Sequence, residues 1–169
     1  MDIDLLSNLS VTKRNALITA SFHLPLTELR ILNSCISQIN PNRGLCNSLA
    51  YSFEIKDYIK IFNSDKKSIL KMLEQAAKKL KTRKLYLDRD SLPDNFINEH
   101  NITIELKDEK IETNWVKNVE INRESRQITI IFSDIVSYYL SDINQNGCFT
   151  SFKLKRISEL KSLYAFRLY

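Results

Sequence analysis

Asp57-Tyr58-Ile59-Lys60-Ile61-Phe62-Asn63-Ser64-Asp65-Lys66-Lys67-Ser68-Ile69-Leu70-Lys71-Met72-Leu73-Glu74-Gln75-Ala76-Ala77-Lys78-Lys79-Leu80-Lys81 is the stretch that decides the fold. Asp57 can cap a brief helix carrying Tyr58, Ile59, Ile61 and Phe62. Asn63-Ser64-Asp65 then breaks the pattern, and Ser64 or Asp65 can accept from the free amides of the next helix. In that second helix Ile69, Leu73 (with Met72), Ala76 and Leu80 recur at helical spacing as an apolar stripe. Lys67, Lys71, Lys78 and Lys81 fall on the opposite side, with Lys66 near the helix start. A short helix, a three-residue turn and a longer basic helix make the layout of a helix-turn-helix.

Working upstream, Leu26, Leu29, Leu32, Ile36 and Ile39 follow Leu24-Pro25 at intervals of three and four, a buried helix ended by Asn40-Pro41 and Gly44. Leu49, Tyr51, Phe53 and Ile55 alternate as a short strand. Residues 1–12 carry no sustained pattern and read as a loose or weakly helical arm.

Downstream, Lys84–Leu87 is strand material, a polar stretch runs through Pro93 to Asn101, and Ile102–Leu106 alternates. Ile111, Thr113, Trp115, Val119 and Ile121 line one face of a longer strand interrupted at Lys117. Gln127–Phe132 follows in register, joined to it by the polar turn Asn122–Arg126. A β-hairpin with a basic tip after a helix-turn-helix is a wing. Ser133-Asp134 then caps a helix through Ile143, stopped around Asn146-Gly147, and Phe149–Leu154 reads equally as a strand or a helix lead-in. Ser162–Tyr169 reads as an amphipathic helix with no stop signal, so residues 1–169 are expected to be one winged-helix domain of a longer, two-domain protein. The fold class expected is α+β, a winged helix.

Composition narrows the function. With 43% hydrophobic residues, two Gly and three Pro, the chain suits one packed domain. No apolar run approaches the ~20 residues of a membrane span, and Met1-Asp2-Ile3-Asp4 is acidic where a signal peptide is basic. Cys35, Cys46 and Cys148 are scattered and read as reduced thiols of a cytoplasmic protein. His23, set among apolar residues, reads as partly buried, and His100 lies in the polar insertion. The two histidines make no nucleophilic constellation with the cysteines or serines. Gly44 and Gly147 are the only glycines, so no glycine-rich phosphate loop is available. Acids such as Asp108-Glu109 form no cluster for metal chemistry. The expectation is a non-enzymatic protein without metal or cofactor.

Charge is informative through its placement. The formal net charge is +5, but residues 64–84 hold eight Lys or Arg against Asp65 and Glu74, while residues 94–112 hold six acids against Lys107 and Lys110. Basic faces segregated in this way are the footprint of a polyanion binder. Solvated helix faces account for the same lysines equally well.

Several segments together resemble the first winged-helix domain of plasmid replication initiator proteins of the Rep_3 type. They are Lys13-x-Asn15-Ala16-Leu17, Leu26-Thr27-Glu28-x-Arg30, Asp57-Tyr58 followed by Phe62, and Leu73-x-x-Ala76-x-x-x-Leu80. Further on come Trp115-Val116, Ile128-x-Ile130-x-Phe132-Ser133, Tyr139-Leu140 and Tyr164-Ala165-x-Arg167-Leu168-Tyr169. Their order across nearly the whole chain carries the resemblance. It implies tandem winged helices in the intact protein, monomers on repeated origin sequences (iterons) and dimers on an inverted operator repeat. It also implies that the second domain does most of the base reading, while this one dimerises and touches the phosphate backbone. The acidic 88–112 insertion departs from the family pattern.

The site expected on double-stranded DNA therefore comprises Lys66, Lys67, Lys71, Lys78 and Lys81, with Arg123 and Arg126 at the hairpin tip. The lysine stripe lacks Asn, Gln and Arg for bidentate base contacts, which points to backbone positioning over base readout. Lys153, Lys155 and Arg156 form a second basic patch. If the hairpin edge pairs with a second subunit, Lys117 and Val119 become homodimer contacts, with Trp115 beside them. Host partners such as a helicase or chaperone and the origin sequence are left open. Two other readings stay in play: a stand-alone winged-helix repressor, and a dimerisation module that never touches DNA.

Overall fold

The computed structural model describes residues 8–19, 21–44, 46, 48–65, 67–141 and 148–162. In chain order its elements are β1 (Ser10–Arg14), α1 (Asn15–Thr19), β2 (Ser21–Phe22), α2 (Leu26–Ile36), β3 (Ala50–Glu54), α3 (Ile55–Phe62), α4 (Ile69–Leu80) and β4 (Lys84–Asp88). A 3-10 turn (Arg89–Ser91), α5 (Asp94–Glu99), β5 (Glu105–Lys107) and β6 (Lys110–Asn114) make the insertion. Then come β7 (Val116–Asn122), β8 (Gln127–Phe132), α6 (Asp134–Leu140), β9 (Phe149–Lys153) and α7 (Leu154–Ser158).

The winged helix is the run α2, β3, α3, α4 and the β7–β8 hairpin. Its three strands pair antiparallel in the order β3-β8-β7. Along β8 the pleat sends Ile128, Ile130 and Phe132 inward, each 0% exposed, where Phe53 of β3 joins them. α4 lays Ile69, Leu73, Ala76, Ala77 and Leu80 on the same core. Leu73 and Leu80 are fully buried, so truncating either to alanine costs about 2–5 kcal/mol.

The joints of the helix-turn-helix differ from the capping expected. Asp57 is buried in the first turn of α3, and the residue before that helix, Glu54, makes no side-chain cap. The reason lies across the sheet: the Ile55 amide donates to the Arg126 carbonyl at the wing tip, 3.0 Å away, so one of the helix's free amides is already satisfied. Asn63 closes α3 in the left-handed region (φ 46°), a conformation its side chain tolerates. Neither Ser64 nor Asp65 caps α4. Asp65 instead accepts from the Lys67 amide at 3.0 Å, an Asx turn that orders the connection, and Ser68 precedes the helix at φ 60°.

A second antiparallel sheet, of order β2-β4-β6-β5, is built from β2 and the segment that links α4 to the wing in the chain. The stretch read as polar linker holds the 3-10 turn and α5, whose Phe96 is 2% exposed and packs 4.2 Å from the Tyr138 ring centroid. Residues 102–104 stay outside the strand expected there, which is only Glu105–Lys107. The single long strand expected over 111–121 is two strands in two different sheets. β6 pairs with β4, β7 pairs with β8, and the chain changes sheets at Trp115. Trp115 donates its amide to Arg83 O and accepts from the Ser133 amide, stitching the two sheets together. The interruption at Lys117 is present as a register shift between Val116 and Asn118.

Ser133 caps α6 as expected, accepting from the Val136 amide at 3.3 Å. Phe149–Lys153 is a strand, and the chain turns helical at Leu154. β9 pairs with β1, so residues 10–12 belong to a sheet and not to a loose arm. The expected stop of α6 near Asn146-Gly147, its Ile143, Lys66 and the terminal helix beyond Ser162 lie outside the described residues.

Candidate nucleic-acid interface

The outward side of α4 is a mainly polar stripe interrupted by Met72. Lys71, Met72, Gln75, Lys78 and Lys79 are exposed on the helix, with Lys67 before it and Lys81 and Thr82 after it. The buried stripe Ile69, Leu73, Ala76, Leu80 forces this, since a helix that lays one face on a core must show the other to solvent. Among the described residues none of Lys67, Lys71, Lys78, Lys79 or Lys81 is in an ion pair. The ion pairs that form among the described residues lie elsewhere: Lys56 with Glu54, Arg83 with Glu28, Lys84 with Glu112, Arg89 with Asp94, Lys117 with Asp134 and Arg123 with Glu74, while other exposed cations such as Lys60, Lys110, Lys155 and Arg156 are likewise unpaired. The ammonium groups on α4 are thus uncompensated charge gathered on one ridge.

Glu74, the only acid on α4, is withdrawn from that ridge. It is 7% exposed and takes both Arg123 Nε (3.1 Å) and Nη2 (3.2 Å) from the wing. Arg123 therefore acts first as a strut between wing and helix, with part of its guanidinium still open to solvent. Arg126 is the exposed basic residue of the tip, held at φ 53° with its carbonyl spent on the Ile55 amide.

The two edges of the winged-helix sheet are unlike. At β3 the edge is covered by α2 and the turn that follows it: Gln38 Nε2 donates to Ser52 O at 2.8 Å, and Cys35 Sγ to Tyr51 O at 3.6 Å. Burial pushes the Cys35 thiol pKa up, so it stays a neutral donor there. At β7 no further strand pairs among the described residues. Half-buried Val119 and Ile121 line a groove of about 710 Å³ between β7 and the C-terminal half of α4, together with Lys78, Lys81, Thr82 and Arg123. Of the three residues expected at a dimer contact, Lys117 and Val119 lie on this strand. Lys117 is exposed but tied to Asp134 at 3.4 Å. Trp115 is 2% exposed and fills the junction of the two sheets, so its side chain offers no surface to a second chain.

The second basic patch is separate from the ridge. Lys153 donates to the Asn8 carbonyl at 2.9 Å, and Lys155 and Arg156 are exposed on α7, which packs on α2 and α3. His23 is exposed, contrary to the burial expected of it, and His100 stacks on Phe96 at 4.4 Å. Among the described residues no three His, Cys, Asp or Glu converge as metal ligands, and no helix is long and apolar enough to cross a membrane. Two residues of the ridge escape a reading based on lysine spacing, Lys79 and Gln75. The burial phase of α4 is the signal that finds them, because both are out of phase with Ile69, Leu73 and Leu80.

No curated protein matches the chain. Among solved structures, the Pi initiator protein, crystallised in complex with iteron DNA, superposes with a TM-score of 0.71 at 19% identity, covering 96% of this chain. The chain spans 62% of that protein's length. The WH1 domain of MSBI1.176, a replication protein isolated from a multiple sclerosis patient, aligns at 20% identity with a TM-score of 0.40, over 66% of this chain and 70% of that one. The Pi likeness places the fold among winged helices. Residues 10–169 match the family described as "Initiator Replication protein, WH1", and the chain belongs to that family.

Proposed function

We propose that the chain is the DNA-binding and dimerisation module of a plasmid replication initiator, acting in the cytoplasm on repeated origin sequences and without catalytic chemistry. α4 lies along the duplex with Lys67, Lys71, Lys78, Lys79 and Lys81 on phosphates, and Arg126 reaches the backbone from the wing. The observation that carries this reading is the clustering of these ammonium groups on the outward side of the second helix of the helix-turn-helix, whose one acid, Glu74, is drawn away to the wing. Pairing of β7 with a second copy is the companion proposal, supported by the covered edge at β3 and the open edge at β7.

The test is a gel-shift titration of the chain on a duplex carrying the replicon's origin repeats, repeated between about 50 and 200 mM salt. Affinity is expected to fall steeply and linearly in the logarithm of salt. Absent or salt-flat binding overturns the proposal. A dimer in light scattering with no salt-dependent DNA affinity selects the dimerisation module alone.

A further inference from the structure

Lysines position a protein on DNA without reading it, yet the α4 ridge is not made of lysines alone. Gln75 stands exposed near its middle, four residues after Lys71 and three before Lys78, and makes no hydrogen bond among the described residues. Met72, three residues earlier on the same face, is 42% exposed. The core gives no reason for a thioether there, since Ile69, Leu73 and Ala76 already form the inward stripe. The rotation of the helix is also pinned. Glu74 is clamped to Arg123 of the wing, and the next residue, about 100° further round the axis, is therefore held outward.

We propose that Gln75 reads an adenine in the major groove and that Met72 packs on the methyl of a neighbouring thymine, so that this module contributes base specificity of its own. A carboxamide presents one donor and one acceptor in a plane, the complement of the adenine N7 acceptor and N6 donor, and an apolar side chain suits the thymine methyl. Both residues lie in the first two turns of the second helix of the helix-turn-helix, the part that approaches base edges. Lys78, Lys79 and Lys81 follow at its far end, where phosphate contacts fix depth and register. The inference rests on the reading of α4 as the DNA-facing helix. It departs from a purely backbone-contacting role.

The experiment is selection from a randomised duplex library with the chain, with Gln75→Ala and with Met72→Ala, followed by gel shifts on the selected duplex and on the unselected pool. The chain is expected to enrich an A·T pair. Gln75→Ala should erase the preference at that pair and weaken binding to the selected duplex by about 5- to 100-fold, far more than to the pool. Met72→Ala should relax the neighbouring position. Lys78→Ala serves as the contrast, lowering affinity for both duplexes alike with the motif unchanged. Salt-dependent binding with no enriched A·T pair, or an identical motif from Gln75→Ala, overturns the inference while leaving the DNA-facing helix in place. Loss of all binding by the unsubstituted chain overturns both. Gln75 is exposed, so matched thermal melts of the variants confirm that folding is not what changed.

Discussion

Arg123 of the wing turn grips Glu74 of α4 with two parallel hydrogen bonds, at 3.1 and 3.2 Å, across 49 residues of sequence. Glu74 is nearly buried while the guanidinium is largely in water, so screening keeps the pair's worth near 1 kcal/mol. Removing Glu74 is expected to lower the melting temperature by about 2–4 °C. A double-mutant cycle of Glu74→Ala with Arg123→Ala, read by urea denaturation, should return a coupling of about 0.5–1 kcal/mol that shrinks with salt. Zero coupling at low salt would mean the wing and α4 are not joined through this pair.

Each unpaired ammonium on α4 should register separately in the salt dependence. Lys71→Ala, Lys78→Ala and Lys79→Ala are each expected to reduce the slope of log affinity against log salt by about 0.9 on duplex DNA. Lys84, already joined to Glu112 on the insertion sheet, provides the control, and its alanine variant should leave the slope as it was. Equal effects at Lys84 and Lys78 would show that the ridge is no better placed than any other basic surface.

The helix-turn-helix and its wing were legible because each signal is local. The stripe Ile69, Leu73, Ala76, Leu80 and the alternation Ile128, Ile130, Phe132 lie within one element apiece. What escaped depends on partners far along the chain. β1 is a strand only because β9 pairs with it, Thr12 meeting Ser151 across 139 residues. The alternation from Ile111 to Ile121 continues through Trp115, so periodicity alone could not show that the chain changes sheets there. α5 is six residues of mostly polar sequence whose helix is held by one buried side chain, Phe96. At the site, lysine spacing located the ridge, but only the burial phase of α4 put Gln75 on it, and only the folded wing found a partner for Arg123.

The unequal sheet edges predict where a second copy binds. Substituting lysine for Val119 or Ile121 on β7 places a charge on the open strand and should convert a dimer to monomer in sedimentation velocity. Leu106→Lys, at a more exposed site on β5 of the other sheet, should leave the assembly unchanged. A dimer that survives both β7 substitutions but not Leu106→Lys would move the interface to the insertion.

Lys13 gives the chain an alkaline signature. Desolvation by burial lowers its pKa to about 8, and its ammonium lies 6.0 Å from the Phe152 ring, with no carboxylate paired to it among the described residues. In the unfolded chain the same amine titrates near 10.4. Below about pH 8 both states carry the proton, and folding bears the full cost of the desolvated charge. Between about pH 8 and pH 10.4 the unfolded state holds more protons than the native one, so this residue adds stability as pH rises. Because Lys13 is only half-buried, the gain is discounted to about 1–2 kcal/mol. Urea midpoints measured at pH 7 and pH 9.5 should therefore rise for the unsubstituted chain relative to Lys13→Met. The methionine variant should be the more stable of the two at neutral pH. A constant offset between them across that range would mean that the amine is solvated and titrates as an ordinary surface lysine.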